Sequence, residues 1–210
     1  MTDTNVHQIT EHRRGRVPRV VRERQLLNIA EEFFAQRGYE ATSIEEIARV
    51  AEISRPIVYE HFGSKEGVYL ACVRRARTEF EHALVEAVAN TTSLYDTLER
   101  GGDAFFSVLE RDPRRWAILF GISAPLQGSF GEELTELRFG TVSRIAEILA
   151  AHAPDAETER LDVFAHAISG VGEQLGRWWI ANPAVPRQRV VSHFRDFAWA
   201  GFKQLVPNAD

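Results

Sequence analysis

The sequence of 210 residues contains one cysteine, one methionine and eight prolines. A single cysteine cannot form an intramolecular disulfide, which favours a reducing compartment and makes the cytoplasm the expected location. No apolar run reaches the ~18–20 residues that a membrane span needs. The polar segment 1–10 offers no core for a signal peptide. We therefore expect a chain with no contact to membranes and no disulfide framework.

Motifs of the common enzyme classes are also missing. There is no P-loop and no glycine fingerprint for a dinucleotide. His152, His166 and His193 stand alone, without cysteines or carboxylates at the spacing of a metal site. Cys72 lies between small apolar residues, which suits a buried thiol better than an activated nucleophile. We predict no catalysis, no cofactor and no metal.

Positive charge is scarce, since 25 Lys and Arg residues face 30 Asp and Glu residues and the net charge is −5. The deficit is uneven, because residues 1–75 carry a net charge of +1 and residues 76–210 carry −6. A local basic surface can bind phosphates even when the rest of a molecule is acidic. Residues 1–17 are either a flexible basic arm that contacts DNA or a solvated tail, and both interpretations stay open. The basic run comprises Arg13, Arg14, Arg16, Arg19, Arg22 and Arg24.

Apolar residues recur every three or four positions, and we find no convincing pair of strands. Glycines and prolines divide the pattern into about nine predicted helices, which is an all-α fold. Short helices fill the first third, so we predict a three-helix head at residues 18–64 and a larger helical bundle at residues 65–210. Gly38 is predicted to end the first helix. Ser64 is predicted to cap a long helix that runs to about Ala89 and joins the two parts.

One segment, from Thr42 to Phe62, predicts two short helices joined by a turn; it reads TSIEEIARVAEISRPIVYEHF. Thr42 and Glu45 are spaced as a capping box at the start of the first of these helices. Ile53 lies in the turn, where it would fill the gap between the helices. This is a helix-turn-helix arrangement, whose second helix can enter the major groove of DNA. The same unit could also be a plain packing module.

Polar side chains remain on the second helix once Ile57 and Val58 face inward. Arg55 stands at the helix start, where the side chains of a recognition helix reach base edges or phosphates. Tyr59 offers a hydroxyl and a flat ring to the sugar–phosphate backbone. Lys65 begins the next helix, where its charge and the free backbone N–H groups suit a phosphate. These residue types favour the DNA-binding interpretation over the packing module.

The stretch TSIEEIARVAEISRPIVYEHFGSKEGVY resembles the DNA-binding region of the TetR (tetracycline repressor-like) family, over about residues 22–75. The resemblance implies a homodimeric regulator, most simply a repressor that leaves a palindromic operator in double-stranded DNA when a small molecule binds. Glu52 departs from the family pattern, which has glycine in the turn. Glu60 places a carboxylate near the DNA, where it would repel phosphates unless it accepts from a cytosine amino group. By position, the resemblance assigns DNA-contact roles to Thr42, Arg55, Tyr59, His61 and Lys65. We also predict DNA contacts for Arg22, Ser43, Ser54 and Pro56.

The acidic part, residues 93–206, carries no motif of comparable specificity. Its aromatic residues are spread over several helices and either fill a core or line a cavity for a flat or greasy small molecule. The resemblance favours the cavity, because TetR-like repressors hold their effector among these helices. The candidate ligand contacts are Phe105, Phe106, Trp116, Phe120, Phe139 and Phe164.

The last two predicted helices carry small and aromatic residues at helical spacing. This pattern suits a dimer interface, although burial within one chain would also explain it. A two-fold dimer, which the resemblance favours, would present two recognition helices about one helical turn of DNA apart. The candidate interface residues are Gly170, Gln174, Trp178, Phe194, Phe197 and Gly201.

Two other functions remain open. A helix-turn-helix protein without a small ligand would act as an architectural or constitutive DNA binder, and its bundle would be well filled. A protein-interaction scaffold would keep its function after Tyr59→Ala and Lys65→Ala.

Overall fold

The computed structural model describes residues 17–121 and 128–205. Within these ranges the chain forms nine α-helices and no strand, and none of these helices has the length and apolarity to cross a bilayer. The predicted arm at residues 1–17 lies outside the described residues apart from its last position. The helices are α1 (Arg19–Ala41), α2 (Ile44–Val50), α3 (Arg55–Phe62), α4 (Lys65–Val88), α5 (Leu94–Arg111), α6 (Arg114–Phe120), α7 (Gly128–His152), α8 (Thr158–Ile180) and α9 (Arg187–Phe202), followed by a 3-10 turn, Lys203–Leu205.

Helices α1 to α3 form the head, and local signals set their ends. Gly38 has a φ of +78° and interrupts the helical path within α1, as expected for a glycine near a helix end. The predicted cap of α2 is wrong by one residue. Ser43, not Thr42, is the N-cap, and its hydroxyl accepts the backbone N–H of Glu46 at 3.2 Å. Thr42 is buried and its hydroxyl donates to the Gly38 carbonyl at 2.8 Å.

The turn between α2 and α3 contains Glu52, whose φ of +54° is the one positive value at a non-glycine position in the described part of the chain. Two backbone hydrogen bonds fix this geometry. The N–H of Glu52 donates to the Arg49 carbonyl at 3.2 Å, and the N–H of Ile53 donates to the Ala48 carbonyl at 3.0 Å. A left-handed conformation costs an L-residue roughly 1–2 kcal/mol. The turn therefore keeps a positive φ at the position where the family has glycine, and it is strained.

Glu52→Gly is expected to raise the free energy of unfolding by about 0.5–1 kcal/mol, because relief of the strain exceeds the entropy that glycine adds to the unfolded chain. Urea denaturation followed by circular dichroism measures this change. The matched control is Glu60→Gly, which removes the same charge from inside α3 and should lower stability by about 1 kcal/mol. Equal losses in both variants would show that Glu52 is not strained.

Helix α4 is 24 residues long and belongs to two hydrophobic cores. Ser64 caps it as predicted, accepting a backbone N–H of the first turn at 3.1 Å. Up to Ala76 the helix packs into the core of the head, together with Ile118 of α6 and Leu134 of α7. From Phe80 onward it packs into the core of the bundle. The head and the bundle thus share one continuous helix, and the division at residue 64 stays a prediction.

The core of the bundle centres on Phe106 of α5, whose side chain is fully buried. The Phe106 ring centroid lies 5.1 Å from that of Phe105, 5.7 Å from that of Trp179 and 5.8 Å from that of Phe194, each in edge-to-face geometry. Helices α5 and α9 approach closely, since a Cβ atom at Gly102 would lie 2.7 Å from the Phe194 ring. This tight packing positions the helices that surround the cavity described below.

Candidate DNA interface and effector cavity

Helix α3 turns one face into the head and leaves the other exposed. Val58 is buried, and Ile57 is partly buried. Arg55, Pro56 and Tyr59 lie on the outer side, where Tyr59 retains 38% of its exposure. A proline in the first turn of a helix removes only an N–H that would be unpaired in any case. The outer face of α3 is therefore free to meet a large partner.

Arg55 is held in place by two neighbours. Its Nη1 lies 2.7 Å from Oε1 of Glu45 on α2, and its guanidinium lies 6.0 Å from the centroid of the Tyr59 ring. The hydrogen bond with Tyr59, and then the charge of Glu45, raise the pKa of Arg55 above its usual value. The pair with Glu45 is half exposed and so contributes little to stability. Arg55 is thus a fixed cation that phosphate oxygens can reach.

Lys65 lies at the N-terminus of α4, beside Tyr39 and Glu40. Its Nζ donates to the Glu40 carbonyl at 3.0 Å and lies 4.5 Å from the centroid of the Tyr39 ring. Burial of the Tyr39 hydroxyl, followed by its hydrogen bond with Glu66, raises the pKa of that tyrosine. These contacts hold a positive charge at a helix N-terminus, an arrangement that attracts anions.

The remaining predicted DNA contacts differ in exposure. Ser43 is partly exposed as the cap of α2, and Ser54 is exposed at the start of α3. Arg22 is half-buried on α1 and donates to Gln25 Oε1 at 2.7 Å. His61 is partly exposed, and its ring centroid lies 5.9 Å from that of the next residue, Phe62.

Thr42 does not fit the predicted interface. Only 2% of the residue is exposed, and its hydroxyl already donates to a carbonyl of α1. Its side chain is therefore buried inside the head, and the predicted side-chain contact is wrong.

A cavity of about 350 Å³ lies within the bundle, between α4, α5, α7 and α8. Along α4 it extends from Val73 to Val88, which is about 22 Å of helix. Its walls are mostly apolar, and its lining residues spread along this length, so the cavity is elongated. Phe105, Phe120 and Phe139 line it, as predicted.

The other three predicted ligand contacts lie elsewhere. Phe106 points into the bundle core instead of the cavity. Trp116 packs against the same core, and its indole N–H donates to the Glu173 carbonyl at 3.0 Å. Phe164 stacks edge-to-face on Phe202, with ring centroids 4.8 Å apart. A ring can reach a ligand only where it lies on the inner face of a helix and the neighbouring helix is far enough away to leave the cavity open.

Aliphatic residues that the sequence analysis missed form much of the wall. On α7 the lining residues Val142, Ile145 and Leu149 recur at spacings of three and four, a signal visible in the sequence but shared with any core helix. Polar and charged residues interrupt the wall at several places; they are Thr97, Arg138, Thr141, His166, Ser169 and Glu173. The Thr97 hydroxyl lies 2.8 Å from Nε2 of His152. Most of the surface that a ligand would meet is apolar.

Two family models match the chain. The one described as "Bacterial regulatory proteins, tetR family" matches residues 26–72, and the one described as "Tetracyclin repressor-like, C-terminal domain" matches residues 94–201. The chain belongs to the TetR family. The first match covers the head with its exposed α3, and the second covers the bundle with its cavity.

Relatives and solved structures of TetR-family proteins align with nearly the whole of this chain. The HTH-type transcriptional activator FasR of Mycolicibacterium smegmatis is 27% identical over 196 residues, which are 92% of this chain and 89% of FasR. The crystal structure of a TetR-like transcriptional regulator from Rhodococcus sp. RHA1 is 28% identical with a TM-score of 0.72, covering 90% of this chain and 99% of the other. The crystal structure of a TetR-family regulator from Syntrophomonas wolfei has a TM-score of 0.76 at 14% identity. It covers 91% of this chain and 100% of the other. The predicted family and all-α fold are confirmed.

The outer face of α8 in this TetR-family protein carries an exposed stripe. Val163 and Trp178 are 58% and 46% exposed, and Gly170 and Gln174 are exposed between them. Phe197 of α9 is 67% exposed. Exposed apolar surface of this kind marks sites of protein association.

Two predicted interface residues of α9 lie outside the exposed stripe. Phe194 is 7% exposed, packs against Phe106 and lines the cavity, so its prediction as an interface residue is wrong. Gly201 is partly buried, and a Cβ atom there would lie 4.0 Å from the Phe164 ring. Gly170 also lines the cavity, which places the exposed stripe next to the cavity wall.

Proposed function

We propose that this TetR-family protein is an effector-responsive transcriptional regulator that binds a palindromic operator in cytoplasmic DNA as a homodimer. The exposed outer face of α3, with Arg55 and Tyr59, carries this proposal. A helix-turn-helix unit presents such a face to the major groove, and two copies related by a two-fold axis read two half-sites. The domain at residues 18–64 would bind DNA, and the domain at residues 65–210 would bind effector and partner.

Selection of DNA from a random pool by the purified full-length protein tests the operator. The expected result is an enriched palindrome whose half-sites lie about one helical turn apart. Enrichment of a single asymmetric site would contradict the dimeric part of the proposal. No enrichment at all would contradict DNA recognition and favour the scaffold alternative.

The effector that fits the cavity is an elongated and largely apolar molecule. The lining of the cavity of about 350 Å³ extends along α4, and most of its surface is apolar. This space supports an effector-responsive regulator over a DNA binder whose bundle is filled by its own side chains. Effector binding would tilt α4, change the separation of the two heads and release the operator, with a coupling free energy of about 1–3 kcal/mol.

A series of straight-chain alcohols of increasing length tests the shape of the cavity. Thermal stability of the protein should rise with chain length until the chain exceeds the cavity, and operator affinity should fall over the same series. A fused-ring compound of equal apolar area is the control and should bind more weakly. Preference for the fused ring would contradict an elongated effector.

Release of the operator by effector makes the protein a repressor wherever the operator overlaps a promoter. Activation is the second candidate, because the FasR relative, which aligns with 92% of this chain, is a transcriptional activator. Transcription from a promoter that carries the selected operator separates the two. Added protein should lower transcription for a repressor and raise it for an activator.

Trp178→Ala combined with Phe197→Ala is expected to weaken self-association by at least tenfold, because buried aromatic anchors contribute roughly 2 kcal/mol or more to an interface. Both side chains are exposed in the single chain, so its fold should not change. Sedimentation velocity over a range of concentrations measures the dissociation constant. The control is Val85→Ala, an apolar residue of α4 that is 47% exposed and lies outside the stripe. If this control dissociates equally, the dimer uses another surface.

A further inference from the structure

We propose that Glu60 determines the base specificity of α3, and that its carboxylate selects a cytosine in each half-site of the operator. The carboxylate would accept a hydrogen bond from the N4 amino group of that cytosine in the major groove. The inference rests on the proposed function, because it concerns which base the exposed face of α3 reads.

Glu60 lies at the centre of the outer face of α3. The inner face is marked by Val58, which is only 1% exposed. An α-helix turns by about 100° per residue, so Pro56 and Glu60, two positions before and after Val58, each lie about 160° from it around the axis. Both residues are exposed. They therefore form the part of α3 that projects furthest from the core of the head.

Arg55 and Tyr59 lie on one flank of this face. Counted in the same way, they are about 60° and 100° from Val58. Arg55 is also engaged by Glu45, whose Oε1 lies 2.7 Å from Nη1 of the guanidinium. Phosphates border the major groove and base edges form its floor, so a flanking side chain meets the backbone and a central one meets the bases. Arg55 and Tyr59 therefore position α3, and the central residues read the sequence.

The two central side chains differ in what they can recognise. Pro56 offers only carbon atoms to a base, whereas the carboxylate of Glu60 accepts hydrogen bonds and donates none. In the major groove cytosine presents an amino donor and no acceptor of its own. Adenine places the N7 acceptor beside its amino group, and guanine and thymine present acceptors without a donor. Cytosine is therefore the base that suits a carboxylate.

Glu60 has no ion pair or hydrogen bond within the part of the chain that the structure describes. Two other glutamates of the head are neutralised, since Glu45 pairs with Arg55 and Glu46 pairs with Arg37 at 2.6 Å. An unpaired carboxylate near phosphates weakens binding unless a donor meets it. The cytosine amino group supplies that donor. Glu60 thus rejects the other bases as well as binding the right one.

Fluorescence anisotropy of the full-length protein on the selected operator tests the assignment, with each base pair of the half-site replaced in turn. At one C·G pair, replacement by any other pair should weaken binding by about tenfold or more. In Glu60→Ala the discrimination at this pair should fall below about threefold, while discrimination at the other pairs persists. Glu60→Gln should prefer adenine at this position, because an amide pairs with both N6 and N7 of adenine. Glu60 is exposed, so neither variant should alter the fold.

Removal of the amino group alone separates the hydrogen bond from the shape of the base pair. The base pyrimidin-2-one lacks the N4 amino group of cytosine and still pairs with guanine. At the selected position it should weaken binding of the unchanged protein by about tenfold and leave the affinity of Glu60→Ala unaltered. The matched control is Glu52→Gln, which removes the charge of an exposed glutamate in the turn before α3. It should keep the full preference for cytosine.

A loss of discrimination at every base pair in Glu60→Ala would assign the effect to stability and overturn the inference. An equal loss in Glu52→Gln would assign it to net charge, with the same consequence. Discrimination that Glu60→Ala leaves intact at every C·G pair would also overturn it. The proposed function survives all three results, because the palindrome is still selected. Absence of any selected DNA would instead overturn the proposed function and this inference with it.

Discussion

Arg55→Ala combined with Tyr59→Ala is expected to weaken operator binding by roughly 100-fold, because each change removes a contact of about 1–3 kcal/mol to bases or phosphates. Both side chains lie on the outer face of α3 and support no core. Loss of Arg55 also leaves the Glu45 carboxylate, now 2.7 Å from the guanidinium, without its partner. That free negative charge would repel phosphates and add to the loss.

Fluorescence anisotropy at several salt concentrations measures both the affinity and its salt dependence. The slope of log affinity against log salt should flatten by about 0.9 for each phosphate contact that is lost. Arg177→Ala is the control, since it removes an exposed positive charge from α8, outside the head. An equal loss in the control would assign the effect to net charge and contradict the proposed interface.

Phe106→Ala is expected to lower the free energy of unfolding by about 3–5 kcal/mol. The side chain is fully buried between Phe105, Trp179 and Phe194, and close packing leaves these rings little room to fill the space. Since a domain has only about 5–15 kcal/mol of stability, such a loss would leave the bundle close to unfolding.

Urea and thermal denaturation followed by circular dichroism measure this loss. Tyr59→Ala is the comparison, because its ring is on the surface of the head and its removal should cost less than about 1 kcal/mol. A similarly small loss for Phe106→Ala would show that the core can collapse around the vacancy. In that case the contacts of Phe106 with Phe105, Trp179 and Phe194 would not be needed for the stability of the bundle.

Some helix starts were predictable because they depend on neighbouring residues. Ser64 and Ser93 each accept a backbone N–H three residues later, and those spacings are visible in the sequence. The cap of α2 shows the limit of such signals. Thr42 with Glu45 and Ser43 with Glu46 are both spaced as a capping box. The sequence does not choose between them, and only the burial of Thr42 leaves Ser43 as the cap.

The exposed face of α3 was predictable for the same reason, since the face of one short helix follows from its own periodicity. The cavity was not. Phe105 and Phe106 are adjacent in sequence and equally aromatic, yet one lines the cavity and the other fills the core. Which ring meets empty space depends on where neighbouring helices diverge. Likewise the buried Glu31 carboxylate accepts from Arg115 at 2.9 Å, but the two residues lie 84 positions apart, and no local pattern pairs them.

The long helix α4 also determines where this protein could be recombined with a relative. Val73 and Ala76 belong to one core and Phe80 and Leu84 to the other, so the crossover between cores falls near Arg77. A chimera joined at residue 64 would graft foreign side chains onto half of the first core. A junction within the turn around Arg77 would move the head together with its own part of α4, so that Ile118 and Leu134 would be the buried positions of the first core supplied by the relative.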